Sequence, residues 1–252
     1  MASVTRDALT HTLDELLKPE GFKDYCPNGL QVEGRTEIAS IVCGVTANQA
    51  LLDLAVAERA DAILVHHGWF WRGENGAVTG IKRNRLKTLL INDINLYAYH
   101  LPLDAHPVLG NNAGLAKAAG WIQSGVFGEQ GLGCLGTPGA DATVATVAAD
   151  LTKALGRAPL VLAEANDQPI RRLAWCTGAA QGYFEAAINT GVDAFVTGEV
   201  SEPMVHLARE TGVAYFAAGH HATERFGVQA LGQAIADRFG IQVRYLEVDS
   251  PV

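Results

Sequence analysis

The chain has no Cys-x-x-Cys pair. Its four cysteines, Cys26, Cys43, Cys134 and Cys176, are scattered, and Cys43 and Cys176 each sit inside an apolar run of strand type. That argues against a disulfide framework and a thiolate zinc knot, and predicts buried free thiols in a reducing compartment. No apolar run approaches the roughly 20 residues of a membrane-spanning helix. The opening stretch, MASVTRDALTHTLDELLKPEGF, reads as an amphipathic helix with acidic residues rather than a secretory signal. A cytoplasmic location and no membrane partner are therefore expected. Positive charge is also short: 19 Lys and Arg against 27 Asp and Glu give a net −8, so nucleic acid is not an expected partner. An anionic small molecule, a nucleotide for instance, would need a local positive site, which bound metal ions supply. No P-loop is present.

What is there is an ordinary globular composition: 252 residues, 48% hydrophobic and 18% charged, enough for one large domain or two small ones. Apolar spacing predicts a first helix over about Thr5 to Leu17, stopped by Pro19 and Gly21. A turn at Pro27-Asn28-Gly29 follows. IASIVCGV (38–45) reads as a strand, with Thr46 as the cap of the next helix. DAILV is a strand that ends at His66 and His67. A glycine-rich loop, GWFWRGENGAVTG, leads to a basic-faced helix, and INLYAYH is a strand ending at His100. Residues 122–140 are glycine-rich without periodicity and read as a boundary or small insertion. The expected organisation is a first α/β half over 1–121, a short connecting element over 122–165, and a second α/β half over 166–252.

The second half repeats the first. At an offset of 132, Asp61 falls on Asp193, Ala62 on Ala194, and His66-His67 on Gly198-Glu199. At an offset of 120, LYAYHLPLD overlays FAAGHHATE, placing His100 on His220 and Asp104 on Glu224. Each half is therefore a strand–helix–strand–helix–strand unit with parallel strands, and the fold class is α/β with two pseudo-repeated halves.

In parallel α/β sheets ligands gather beyond the carboxyl ends of the strands. Those ends carry His66, His67, His100, Asp104, His220 and Glu224, all metal-ligand types. Each has a bland alternative: edge histidines, a turn carboxylate after Pro102, or a helix-start Glu behind a Thr223 cap. Their recurrence at matching positions of a repeat favours metal binding. Adjacent histidines diverge from neighbouring α-carbons, so they suit two ions about 3.5–4 Å apart better than one. Imidazoles with two carboxylates suit iron, zinc or manganese.

The segments CPNGLQVEG, GVTANQALLDLAVAERADAILVHHGWFW, KRNRLKTLL, HLPLDAHPVLGNN, DAFVTGEVSE and AAGHHATE together resemble the NIF-three-like dinuclear-metal hexameric proteins, also labelled GTP cyclohydrolase 1 type 2 homologues. The likeness spans nearly the whole chain, with a compact middle where some members carry an insertion. It implies a toroidal homohexamer, a trimer of dimers, with two divalent ions per subunit. The implied ligands are His66, His67, Asp104, His220 and Glu224; His100 is added from its place in the repeat. The implied activity is hydrolysis of C–N bonds in a purine ring by a metal-bridging hydroxide. Glu199, placed near the site by the repeat and not by the resemblance, is read as partner of a ligand histidine or as the proton carrier, a role for which a non-ligating histidine is the alternative. The rival readings are metal storage or trafficking without turnover, and a regulatory interaction protein.

Other features have two readings. Lys82, Arg83, Arg85 and Lys87 line an anion entrance or form a solvated helix face. Trp69, Phe70 and Trp71 are a stacking platform or an interface anchor. Thr46 and Thr177, each before a helix, present backbone amides to a phosphate or are simple helix caps, and the cap is the favoured reading. His11, His106 and His206 are expected at the surface or in packing, and no role is assigned to His221.

Overall fold

The computed structural model describes residues 2–252. The chain divides into two compact units, Met1–Leu103 with Gly227–Asp249, and Asp104–Phe226 with Ser250–Val252. In chain order the elements are β1 (Val4–Thr5), α1 (Arg6–Leu17), β2 (Gly29–Val32), β3 (Glu37–Ile38), β4 (Ser40–Thr46), α2 (Gln49–Ala57), β5 (Ala62–His67), α3 (Gly80–Asn92), β6 (Asn95–Ala98) and α4 (Leu101–Ala105). Then come α5 (Asn111–Ala119), β7 (Ile122–Phe127), β8 (Gly133–Thr137), α6 (Val144–Leu155), β9 (Leu160–Leu162), β10 (Leu173–Trp175), α7 (Phe184–Asn189), β11 (Ala194–Thr197), α8 (Glu202–Thr211), β12 (Ala214–Ala217), α9 (His220–Thr223), α10 (Arg225–Phe239) and β13 (Gln242–Tyr245).

In the first unit β4, β5 and β6 run parallel, β13 adds parallel to β4, and β2 adds antiparallel to β6. Leu51, Leu52 and Ala55 of α2 pack with Val42, Ile63, Val65 and Leu96 of the sheet. Asn48, not Thr46, caps α2: its Oδ1 accepts from the Leu51 amide at 2.9 Å. Thr46 is the last residue of β4. The Asx side chain reaches the second or third amide of a helix, and the chain turns into α2 two residues later than the sequence suggested.

In the second unit β10, β11 and β12 run parallel, flanked by antiparallel β8 and β7 on one side and β9 on the other. Residues 122–165, read as a connector, thus supply a hairpin, a helix and an edge strand to this sheet. The boundary between the units falls after Leu103 rather than at 121. Helix α6 carries a capping box at Thr143 and buries Val144, Val147, Leu151 and Leu155 in a cluster that includes Trp175, Val196 and Phe216.

The duplication is written in hydrogen bonds. Asp61 Oδ2 accepts from the amides of Ala39 and Ser40, and Asp193 Oδ2 from those of Arg171 and Arg172, the same positions 132 residues on. The first two strands of each unit keep that offset, Ile41 facing Ala62 and Leu173 facing Ala194. The third strand is offset by 119: Ala62 faces Asn95, but Ala194 faces Ala214. The extra residue lies at Gly219, whose φ of +105° favours glycine, and by His220 the offset is 120. The offset of 120 therefore holds for the strand end and not for the strand itself.

Candidate metal centre

In the first unit β5 ends in His66 and His67, and the segment after β6 supplies His100. The rings of His66 and His67 have centroids 4.6 Å apart and are tilted by 44°; His100 lies 5.1 Å from His66 and 5.7 Å from His67. One nitrogen of each ring lies within 4.8 Å of the other two, a grouping that can hold a metal ion. Each ring is held from behind through Nδ1. His66, fully buried, meets the Tyr99 carbonyl at 3.0 Å, His67 meets Thr46 Oγ1 at 3.2 Å, and His100 meets Asp24 Oδ1 at 2.7 Å. Carbonyl and carboxylate oxygens only accept, so His66 and His100 donate from Nδ1 and keep the Nε2 lone pair for a ligand. This arrangement is typical of metal-binding imidazoles.

Asp24 is the residue the sequence reading missed. Burial alone would raise its carboxyl; bonds and charge from His100, with bonds from Asn28 and the Tyr25 amide, outweigh burial and lower its pKa to about 2. The Cys26 thiol beside it is pushed up to about 12 by burial and by the Asp24 charge. The only sequence signal was the turn chemistry of DYCPN, and nothing in spacing ties Asp24 to a ring 76 residues away.

In the second unit Asp104 and Glu224 are buried, at 8% and 2% exposure, and bring carboxylate oxygens within 4.8 Å of each other. Asp104 Oδ1 accepts from Asn111 Nδ2 at 2.8 Å and from Thr177 Oγ1 at 3.3 Å. Thr177 therefore serves Asp104 rather than capping a helix, because α7 begins only at Phe184. Glu224 Oε2 stands 3.2 Å from His220 Nε2, and His220 Nδ1 meets Glu199 Oε1 at 2.7 Å. Burial pulls the His220 imidazole down, but the two carboxylates pull harder, raising it to about 9. Gly178, at φ +73°, leaves the space that Glu224 fills, and a Cβ there would strike Glu224 Oε1. Two buried carboxylates this close repel unless a cation or proton joins them. The donor set fits a divalent ion. Cys176, buried near both acids, is raised well above a normal thiol and is a free cysteine like the other three.

Glu199 backs His220, and its Oε2 accepts from Gln181 Nε2 at 3.2 Å. Trp71 stands edge-on to His100 at 5.1 Å, whereas Trp69 is buried, donating to the Ala47 carbonyl at 2.7 Å. On α3, Lys82 caps the Phe70 ring at 5.2 Å, and Arg83 and Lys87 are exposed. His11 and His206 are exposed beside Glu15 and Glu202, while His106 accepts from the Val108 and Leu109 amides.

A duplicated parallel α/β chain whose matching strand ends carry anchored imidazoles and buried carboxylates defines a class of protein able to bind metal ions. The chain belongs to the Duf34/NIF3 (NGG1p interacting factor 3) family, whose model matches residues 4–251. It is 52% identical over 252 residues to a GTP cyclohydrolase 1 type 2 homolog of Pseudomonas aeruginosa, covering 99% of both chains. It is also 52% identical over 244 residues to the protein of the same name from Yersinia pestis, covering 96% of this chain and 98% of that one. Among solved structures it is similar to protein ybgI, described as of unknown function, with a TM-score of 0.95 and 46% identity over 99% of this chain and 100% of the other. A second solved structure, TTHA1606 from Thermus thermophilus, is similar at a TM-score of 0.88 and 34% identity, over 99% of this chain and 100% of that one. Among the described residues no helix is long and apolar enough to cross a membrane.

Proposed function

We propose that this chain is a metal-dependent hydrolase that holds two divalent ions, iron, zinc or manganese, with His66, His67, His100, Asp104, His220 and Glu224. The observation that carries the reading is the anchoring of imidazoles through Nδ1 in both units, by Tyr99, Thr46 and Asp24 in one and by Glu199 in the other. When bound, a pair of such ions lowers the pKa of water and stabilises negative charge developing on a substrate. The chain's own residues do the rest. The anchored rings of His66 and His100 keep their Nε2 lone pairs aimed without a reorganisation cost. Asn111 and Thr177 hold one oxygen of Asp104 in place. Glu199, with its side chain 40% exposed, orients His220 and offers a proton route to solvent.

The substrate class is a purine nucleotide, opened at a ring C–N bond. Two observations support it: the name carried by relatives 52% identical, and the Trp71 ring beside His67 and His100 as a stacking face. The chain works in the cytoplasm, as its four free thiols suggest, and as a ring of six copies built as a trimer of dimers. The test is to strip the protein, reload it with manganese, iron or zinc, and assay formate release from GTP and related purines, with sedimentation of the same samples. Turnover in the wild type that disappears in His67→Ala, with assembly unchanged, supports the reading. No turnover across the panel, with rapid ion transfer to a metal-free acceptor, replaces it with metal storage or delivery.

A further inference from the structure

The loop before β2 takes hold of His100 at two points. Asp24 Oδ1 meets the ring Nδ1 at 2.7 Å, and Asn28 Oδ1 accepts from the His100 amide at 2.7 Å. Asp24 is itself fixed by donors on both oxygens: the Tyr25 amide at 2.6 Å on Oδ1, and Asn28 Nδ2 at 2.9 Å and the Leu101 amide at 3.0 Å on Oδ2. Its side chain is only 4% exposed. A buried carboxylate so placed holds a proton on Nδ1 and leaves Nε2 as the nitrogen for an ion, on a ring beside His66 and His67.

The second unit reaches the same arrangement from a different place. Glu199, which backs His220, sits where the first unit has His67, whereas Asp24 lies in the N-terminal loop outside the repeat. Duplication therefore did not hand down this carboxylate–imidazole pair. It is built twice, from unrelated sequence positions, behind repeat-equivalent histidines.

We propose that Asp24 is the positioning residue that makes His100 an ion ligand, so that the first unit offers three imidazoles rather than two. This rests on the metal-binding reading, and its test separates the two. In metal-free protein, ¹⁵N-imidazole NMR reads the His100 tautomer directly, whether or not the protein ever turns over a substrate. Wild type and Asp24→Glu show Nδ1–H. Asp24→Asn and Asp24→Ala lose that bias, and circular dichroism confirms that the variants keep the fold. In cobalt titrations against a chelator, Asp24→Asn weakens binding by about 10–100-fold, the range for losing an imidazole's backing partner. In a His100→Ala background the same change adds less than about twofold, because the two residues act as one.

Three results overturn the proposal. One is an Nδ1–H tautomer retained in Asp24→Asn together with unchanged affinity. The second is an equal loss of affinity in both backgrounds. The third is a thiolate-to-cobalt band that disappears in Cys26→Ala, which would put the ion on the alternative Asp24–Cys26–His100 grouping. If wild type binds no cobalt at all, the function proposed above fails, while the tautomer measurement still judges Asp24.

Discussion

Metal-free protein should lose stability as the pH rises through the neutral range, and His220 is the reason. Its imidazole stands between Glu224 and Glu199 and is raised from 6.5 to about 9. A group whose folded pKa lies above its unfolded value stabilises the fold fully below the unfolded pKa, and that contribution fades as pH climbs through the folded one. The full contribution is ~3 kcal/mol at 1.36 kcal/mol per unit, and about 2 kcal/mol of it is lost between pH 6 and 8.5. The side chain is 25% exposed, so solvent screening trims the figure only modestly. The range stops at 8.5 because the buried thiols, pushed up to about 12 at Cys26, Cys43 and Cys134, add their own loss above pH 9. The assay is urea unfolding of chelator-treated protein across that range, with His220→Gln as reference and Glu199→Gln as an intermediate case. Reloading with zinc should abolish or reverse the trend, because the ion takes the proton's place and binds more tightly as pH rises. If metal-free wild type tracks His220→Gln at every pH, the two carboxylates do not raise the His220 imidazole.

Other expectations follow from single residues. Asp61→Ala and Asp193→Ala each strand two backbone amides and should cost ~2–3 kcal/mol in denaturant titrations, with Asp61 the larger because it also releases Arg35 Nη1 at 2.7 Å. Gly178→Ala forces a side chain onto a backbone of φ +73° and into Glu224 Oε1, so it should weaken ion binding in calorimetry more than it lowers the melting temperature. Phe184→Ala removes a fully buried ring stacked on Phe195 and edge-on to Tyr215, and should cost ~3–5 kcal/mol by the same titration.

The parts of the molecule that were legible in the sequence are those where local pattern and burial agree. The apolar runs ending at His66 and near His100 and His220 are buried parallel strands, and a shared Asp at positions 61 and 193 anchors the same two amides in each unit. What escaped depends on contacts distant in sequence. Asp24 meets His100 across 76 positions, and β13 returns from the far end of the chain to pair with β4. The β7–β8 hairpin was hidden by its glycines, which give no alternation to read, yet Gly136 is required where a Cβ would strike the Ile122 carbonyl. Thr46 and Thr177 look like caps in one dimension. In three dimensions their hydroxyls serve His67 and Asp104.

The proposed function rests on six side chains holding a pair of ions. The most direct measurement is a crystal structure of reconstituted protein with anomalous scattering collected at the metal edge. Two anomalous peaks per chain are expected, both bonded to nitrogen or oxygen atoms drawn from His66, His67, His100, Asp104, His220 and Glu224. Peaks at other residues, or none after saturation with manganese, iron or zinc, would contradict it.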